Sequence, residues 1–458
     1  MKTLLWVLLL MTCAAHAASA TALSFGPFGE LMLRGREKDP GMITILLSGA
    51  EGWGNVEEEM AKVAGDAGAL VIGVDLKRYF AHIEEKDYEP NVSNELEAMS
   101  KYVQKALALP VLRASILMGH GAGGGVVYAS LVQAPAQTFL GGVSLGFRPE
   151  LPLTHPFGSG RGLSWKALEN EIRYDATTRF KLSWTLIQAE QDPVFPQNSA
   201  KSFIQGMDGV TLHGLPGARG YDNAAAWSGP LAQTLKAFIA APSAQPDQSR
   251  DIADLPLVEV PPTGPETDSL AVFVTGDGGW AGIDKDIAGI LAKNGIGVVG
   301  LDSLRYFWTR RTPAGGGADL ARIMRHYLAA WNKKQVILIG FSLGADALPP
   351  MAANLPADLR QSIRQVTLLA PSTYVELEFH VSDWMHDDEA SQDIALLPEV
   401  RKLEPVPILC VYGRDEERSL CAELRADEAT VESLPGSHHF NGEYAAVAAL
   451  ILKHLNMP

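Results

Sequence analysis

Cysteine is scarce in this chain, with three in 458 residues, too few for the disulfide-dense scaffolds that hold small secreted domains together. The apolar run near the N-terminus, Leu4 to Met11, falls well short of the roughly 20 apolar residues that a membrane-spanning helix requires. Positive charge is also in short supply: 38 Lys and Arg stand against 53 Asp and Glu, a formal charge of −15. A phosphate backbone repels such a chain, so nucleic acid is excluded as a partner. His and Cys do not cluster at metal-ligand spacing, so no metal and no other cofactor is expected. What remains is 47% hydrophobic and 20% charged with 44 glycines and 28 prolines, a composition for packed α/β domains rich in turns rather than for disorder or long bundles.

The N-terminus carries a processing signal. Met1 and Lys2 precede the apolar run, and Ala15-His16-Ala17 and Ala18-Ser19-Ala20 each offer a small-residue cleavage site. Residues 1–20 therefore read as a secretory signal peptide. Thr12 before Cys13 argues against a lipid-attachment site. Export leaves Cys410 and Cys421 in a disulfide-permissive compartment, either bridged or as two buried thiols.

Internal repetition sets the organisation. Ile43 to Trp53 and Ala271 to Trp280 both read as strand, Gly-rich turn and Trp. Val71 to Phe80 and Val298 to Phe307 both pass from an apolar strand through an Asp to Arg-Tyr-Phe. Ile116 to Gly123 matches Ile337 to Gly344, and Leu215 to Tyr221 matches Leu434 to Phe440. Two copies of one domain stand in tandem, residues 21–240 and 269–458, joined by a linker over 241–268 that carries six prolines. Apolar β-type runs alternate with stretches of helical spacing, so each copy is expected to be an α/β domain with a mainly parallel sheet flanked by helices.

The second copy carries the chemistry. Val336 to Ile339 reads as a buried strand, Gly340-Phe341-Ser342-Leu343-Gly344 follows, and a helical run begins at Ala345. That is the strand-turn-helix setting of a nucleophile elbow, with Ser342 as nucleophile and glycines where a side chain would collide. A serine hydroxyl needs a base, and the base an acid, in the order Ser, acid, His. The loop Gly413-Arg414-Asp415-Glu416 follows a strand and supplies the acid. Laying Ala189 to Asp192 of the first copy on it favours Glu416, with Asp415 as the alternative. Ser437-His438-His439 before the last helix supplies the base, His438 by preference and His439 as the alternative. The oxyanion hole draws on the N–H of Leu343 and on the loop Gly276-Asp277-Gly278-Gly279.

Asp277 and Asp346 are candidates for a cationic substrate group, Phe379, Trp384 and Met385 for acyl chains, and the pair Arg310-Arg311 for phosphate. Tyr374 to Val381 alternates like an edge strand or hairpin arm and begins an insertion that is expected to cap the site. The first copy has Gly121 in place of Ser342 and Arg219 in place of His438, so it reads as a degenerate scaffold or docking domain. His120 beside its elbow reads as a turn residue.

The tandem arrangement, Thr275 to Trp280, Leu304 to Trp308, Gly340 to Asp346 and Pro435 to Phe440 together resemble the bacterial VirJ/AcvB virulence-protein family. The resemblance implies tandem α/β-hydrolase-like domains, the first degenerate, in a periplasmic serine hydrolase. Its implied substrate is an aminoacyl-phosphatidylglycerol at the membrane surface, from which lysine or alanine is released. It also implies an association with type IV secretion, and an envelope or secretion-system protein is the partner expected for the first domain if that domain is a docking element. An esterase or thioesterase for another substrate, or a non-enzymatic secretion-associated binding protein, are the alternatives.

Overall fold

The computed structural model describes residues 23–86, 89–135, 138–158, 162–178, 182–240, 251–379 and 394–455. They form two compact units, one drawn mainly from residues up to 234 and the other mainly from residue 235 onward.

The first unit is built on β1 (Met32–Gly35), β2 (Met42–Leu47), β3 (Ala69–Val74), β4 (Ser115–His120), β5 (Phe139–Leu145), β6 (Ser183–Ala189) and β7 (Val210–Leu215). They lie side by side in the order β1-β3-β2-β4-β5-β6-β7, all parallel except β1. The second unit contains β8 (Leu257–Val260), β9 (Ser269–Val274), β10 (Gly297–Leu301), β11 (Gln335–Phe341), β12 (Ile363–Leu369), β13 (Ile408–Gly413) and β14 (Thr430–Leu434). Their order, β8-β10-β9-β11-β12-β13-β14, repeats the first sheet strand for strand, again with one antiparallel edge. A register shift recurs too, between Ser115 and Ile116 in one sheet and between Val336 and Ile337 in the other. Both units have the α/β-hydrolase-like architecture, and the internal repetition of the sequence is a repetition of fold.

The strands read as continuous apolar runs because helices cover both faces. In β9, Leu270, Val272 and Val274 enter the core on one face, while Ala271 and Phe273 enter the core on the other. Helices α1 (Asn55–Asp66) and α2 (Ala122–Gln133) flank the first sheet, and α3 (Gly282–Lys293), α4 (Leu343–Ala353) and α5 (Tyr444–Leu455) the second. Of these, α3 follows the 276–279 loop, α4 begins directly after Ser342 and α5 follows the loop that carries His438.

The Pro-rich stretch 241–268 is not linker throughout. Its residues 257–260 form β8, antiparallel to β10, with Pro256 before the strand and Pro261 and Pro262 after it. An edge strand tolerates proline at its ends, where a ladder hydrogen bond is not required. The segment from Tyr374 also departs from expectation. Among its described residues only Tyr374–Val375 is a strand, antiparallel to Ile394–Ala395. Beyond it Leu377 O accepts from Arg311 N, and Phe379 N donates to Phe307 O, so the chain pairs with the 307–311 loop instead of continuing a hairpin.

Cys410 of β13 and Cys421 are joined by a disulfide with Cα atoms 5.5 Å apart, closing a span of 11 residues. It ties the middle of β13 to the segment after the loop that carries Glu416. For a loop of this size the Cys421→Ser variant is expected to lose about 2–3 kcal/mol, read as a lowered midpoint in denaturant with the slope unchanged.

Among the described residues no helix is long and apolar enough to cross a membrane. Residues 1–20, expected as a signal peptide, lie outside the described residues.

Candidate active site

Ser342 joins β11 to α4 with φ 51° and ψ −125°, a left-handed conformation that costs a non-glycine residue energy. The flanking sequence allows it. A Cβ on Gly340 would collide with the Gly344 carbonyl, and one on Gly344 with the Val274 carbonyl at the end of β9. The main chain of the turn is fixed by Ser342 N donating to Leu369 O and Asp346 N donating to Ser342 O, each at 3.0 Å. The side chain is thereby presented, partly exposed, at the carboxyl ends of the central strands.

His438 arrives from the loop after β14. Its Nε2 lies 2.8 Å from Ser342 Oγ, and its Nδ1 lies 2.8 Å from Glu416 Oε1. The other Glu416 oxygen accepts from Gly413 N at 2.8 Å, which fixes the carboxylate by its own loop. A side chain at Gly413 would strike the Ser437 carbonyl, so glycine lets the two loops approach. With the proton on Nδ1, the imidazole donates to Glu416 and its Nε2 accepts from the serine hydroxyl. That is the arrangement in which a base can take the hydroxyl proton.

Asp415 and His439, the alternatives in the sequence, are elsewhere. Asp415 is exposed and its backbone N donates to Gly436 O at 3.0 Å. The His439 ring packs on Phe341 and stands edge-on to His438, with centroids 5.6 and 5.5 Å away. Electrostatics separates the two imidazoles. The hydrogen bond to Glu416 lifts His438 above its ordinary value against the effect of burial, and Asp346 and Asp277 add to the rise. Burial, and then the neighbouring His438, lower His439.

On the oxyanion side, Leu343 opens α4 directly after Ser342. Gly276 lies so close to the elbow that a Cβ there would be 3.1 Å from the Phe341 ring and 3.4 Å from Ser342 Cβ. Gly278 is exposed and Asp277 partly so.

The residues expected to receive substrate fare differently. Asp346 faces inward, with its carboxylate accepting from Ser372 N at 2.7 Å and from Ser372 Oγ at 2.6 Å. Burial pushes its pKa up to about 7. It supports the elbow from beneath and is not placed to meet ligand. Phe379 is 3% exposed and stacks on Trp308 at 5.9 Å between centroids, so it is cap packing and not an acyl contact. Arg310 pairs with Glu376 at 3.3 Å. Arg311 lies over the Tyr306 ring at 4.7 Å, so the two guanidinium groups form no joint phosphate fork. Trp384 and Met385, with the rest of 380–393, lie outside the described residues. Among the described residues no group of three or more His, Cys, Asp or Glu is arranged to hold a metal.

The first unit keeps the scaffold of this site with other side chains. Gly121 occupies the elbow with φ 56° and ψ −114°, and Gly119 and Gly123 make the same close approaches as Gly340 and Gly344. Asp192, in the position of Glu416, accepts from Val194 N, Phe195 N and the Tyr221 hydroxyl. Arg219, in the position of His438, donates from Nε to Gln191 Oε1 at 3.2 Å. His120 is more than a turn residue, because its Nδ1 is 2.7 Å from Glu57 Oε1. Sixty-three residues separate the two, and the repeat does not reveal the pairing, because the second copy has Phe341 where the first has His120.

The family model of the bacterial virulence protein VirJ matches residues 41–139 and 268–457. Solved structures similar to the chain include Est1E from Butyrivibrio proteoclasticus, 16% identical, covering 44% of this chain and 94% of that one with a TM-score of 0.34. An α/β serine hydrolase homologue from Coxiella burnetii is 19% identical, with coverage of 43% and 90% and a TM-score of 0.31. A putative dienelactone hydrolase from Klebsiella pneumoniae is 15% identical, with coverage of 46% and 92% and a TM-score of 0.34. No curated protein matches the chain.

Proposed function

Because the chain belongs to the family of the bacterial virulence protein VirJ, we propose that it is a serine hydrolase of carboxylic esters whose substrate is an aminoacyl-phosphatidylglycerol. The observation that carries the hydrolase reading is the unbroken chain Ser342 Oγ, His438, Glu416, with both links at 2.8 Å, on a strained elbow. His438 takes the Ser342 proton as Oγ attacks the ester carbonyl of the aminoacyl group. The N–H groups of Leu343 and Gly276 hold the oxyanion that forms. On collapse the lipid hydroxyl leaves with the proton from His438, and the amino acid stays on Ser342 as an ester. Water, deprotonated by His438, then releases the free amino acid.

Asp277 favours a cationic acyl group. Its charge reaches both His438 and His439, so an ammonium next to the scissile ester has a carboxylate within electrostatic range. The lipid as substrate rests on the family resemblance, and so does a periplasmic location after removal of residues 1–20. The degenerate first domain serves in this reading as a docking element for an envelope or secretion-system protein.

The test is incubation of the purified protein with labelled lysyl- and alanyl-phosphatidylglycerol in micelles, with p-nitrophenyl acetate in parallel. Release of free amino acid supports the reading. Turnover of the acetate alone reassigns the protein to general esterases, and turnover of neither removes the hydrolase.

The pH profile has a defined sign. The base must be neutral, and the Glu416 hydrogen bond raises His438. The acid limb of kcat/KM is therefore expected above pH 6.5, the ordinary histidine value, with activity lost as pH falls through it. A limb below that value contradicts His438 as the base.

A further inference from the structure

The two copies can be compared atom by atom around the loop after the first parallel strand, because residues 42–80 and 269–307 align without a gap. Gly52 N donates to Gly49 O, and Gly279 N to Gly276 O, each at 3.1 Å. Leu76 N donates to Ser48 Oγ, and Ser303 N to Thr275 Oγ1, each at 2.9 Å. On this alignment Glu57 of α1 corresponds to Asp284 of α3, and Gly49 to Gly276.

The two acids differ by one methylene and bond differently. Glu57 spans its cap: one oxygen accepts from Gly54 N at 2.9 Å, the other from Gly49 N at 3.0 Å and from His120. Asp284 reaches only the nearer group, accepting from Ala281 N at 3.3 Å. Its Oδ1 is buried without a hydrogen-bond partner. Gly276 N makes no hydrogen bond among the described residues, and Phe341, which replaces His120, has no donor to offer.

We infer that the length of this one acidic side chain decides whether each site has a second oxyanion donor. Asp284 stops short and leaves the Gly276 N–H open toward Ser342, whereas Glu57 closes the equivalent N–H of Gly49 with its own carboxylate. This deepens the hydrolase reading and rests on it.

The first unit is then inactive by a second device beyond the loss of nucleophile and base. It has not collapsed, since a cavity of about 610 Å³ lined by Glu57, His120, Gly121, Arg148 and Tyr221 persists there. Charge agrees with geometry. Burial works against ionisation of Glu57, but the bonds from His120 and Gly49 hold its pKa below the ordinary value. Asp284 lacks those partners, and burial pushes it up to about 8. The shorter acid bonds only Ala281 N and does not reach the N–H of Gly276. Asp284 is therefore a positioning residue that acts through Gly276.

The experiment compares Asp284→Glu and Asp284→Asn in the full chain, by steady-state kinetics on the substrate of the unsubstituted protein and by a crystal structure of Asp284→Glu. The longer acid is expected to place its carboxylate within 3.2 Å of Gly276 N, a hydrogen-bond distance, and to lower kcat about 100-fold with KM little changed. Asp284→Asn, which cannot reach, is expected to stay within about threefold of the unsubstituted enzyme, because one missing donor accounts for the larger loss. A carboxylate bonded to Gly276 N with kcat intact overturns the inference, as does a carboxylate that fails to reach. Equal losses in both variants, with lowered thermal midpoints, mean a merely structural role and overturn it too. An unsubstituted protein inert toward every ester defeats the hydrolase reading instead, and the crystal structure of Asp284→Glu still reports separately whether the longer acid closes the N–H.

Discussion

Ser342→Ala is expected to lower kcat for ester hydrolysis by about four to six orders of magnitude, the range seen when a serine nucleophile acting as one unit with its base is removed. Binding is expected to persist. The substitution deletes one oxygen, and alanine carries no more strain than serine at φ 51°. The fold does not need the hydroxyl, as Gly121 shows by holding the same turn in the first unit without one. Substrate affinity measured on micelles, together with an unchanged thermal midpoint, separates lost chemistry from lost structure. Residual turnover within about tenfold of the unsubstituted protein is incompatible with Ser342 as nucleophile, since the nucleophile accounts for far more than that.

The second large effect distinguishes adjacent carboxylates. Glu416→Gln is expected to cost about 10⁴ in kcat, as the amide favours the wrong imidazole tautomer and no longer stabilises the imidazolium. Asp415→Asn is expected to change little, because that side chain is exposed and away from His438. The acid limb of the pH profile moves to lower pH in Glu416→Gln, because the interaction that raises His438 most is gone. Kinetics of the two variants from pH 5 to 9 read both effects. A larger loss in Asp415→Asn reverses the assignment.

Most of the fold was legible because its signals are local and doubled. Gly340 and Gly344 sit where the strand and helix backbones meet, and a glycine requirement of this kind is written in the sequence itself. The repeat favoured Glu416 over Asp415 through register without closing the choice, and the ladders keep that register, pairing Ala189 with Leu215 and Gly413 with Leu434. What escaped depends on partners distant in sequence. Asp346 looks like a free acid beside the elbow until Ser372, 26 residues on, covers it. Phe379 is an exposed-looking aromatic in an acidic neighbourhood until Trp308 stacks on it. Arg310 belongs to Glu376, and β8 hides in a Pro-rich stretch because edge strands need few of the signals that mark a central one. Glu57 and Asp284 both stand in the first turn of their helices. That one closes a backbone donor and the other leaves it open depends on a methylene, which only coordinates resolve.

The most direct measurement of the central claim is mass spectrometry of the protein quenched with acid during turnover of a slowly deacylating ester. One acyl adduct is expected, on the peptide that carries Ser342, absent from Ser342→Ala and strongly reduced in His438→Ala. Turnover with the adduct on another residue, or an adduct that persists in Ser342→Ala, contradicts it.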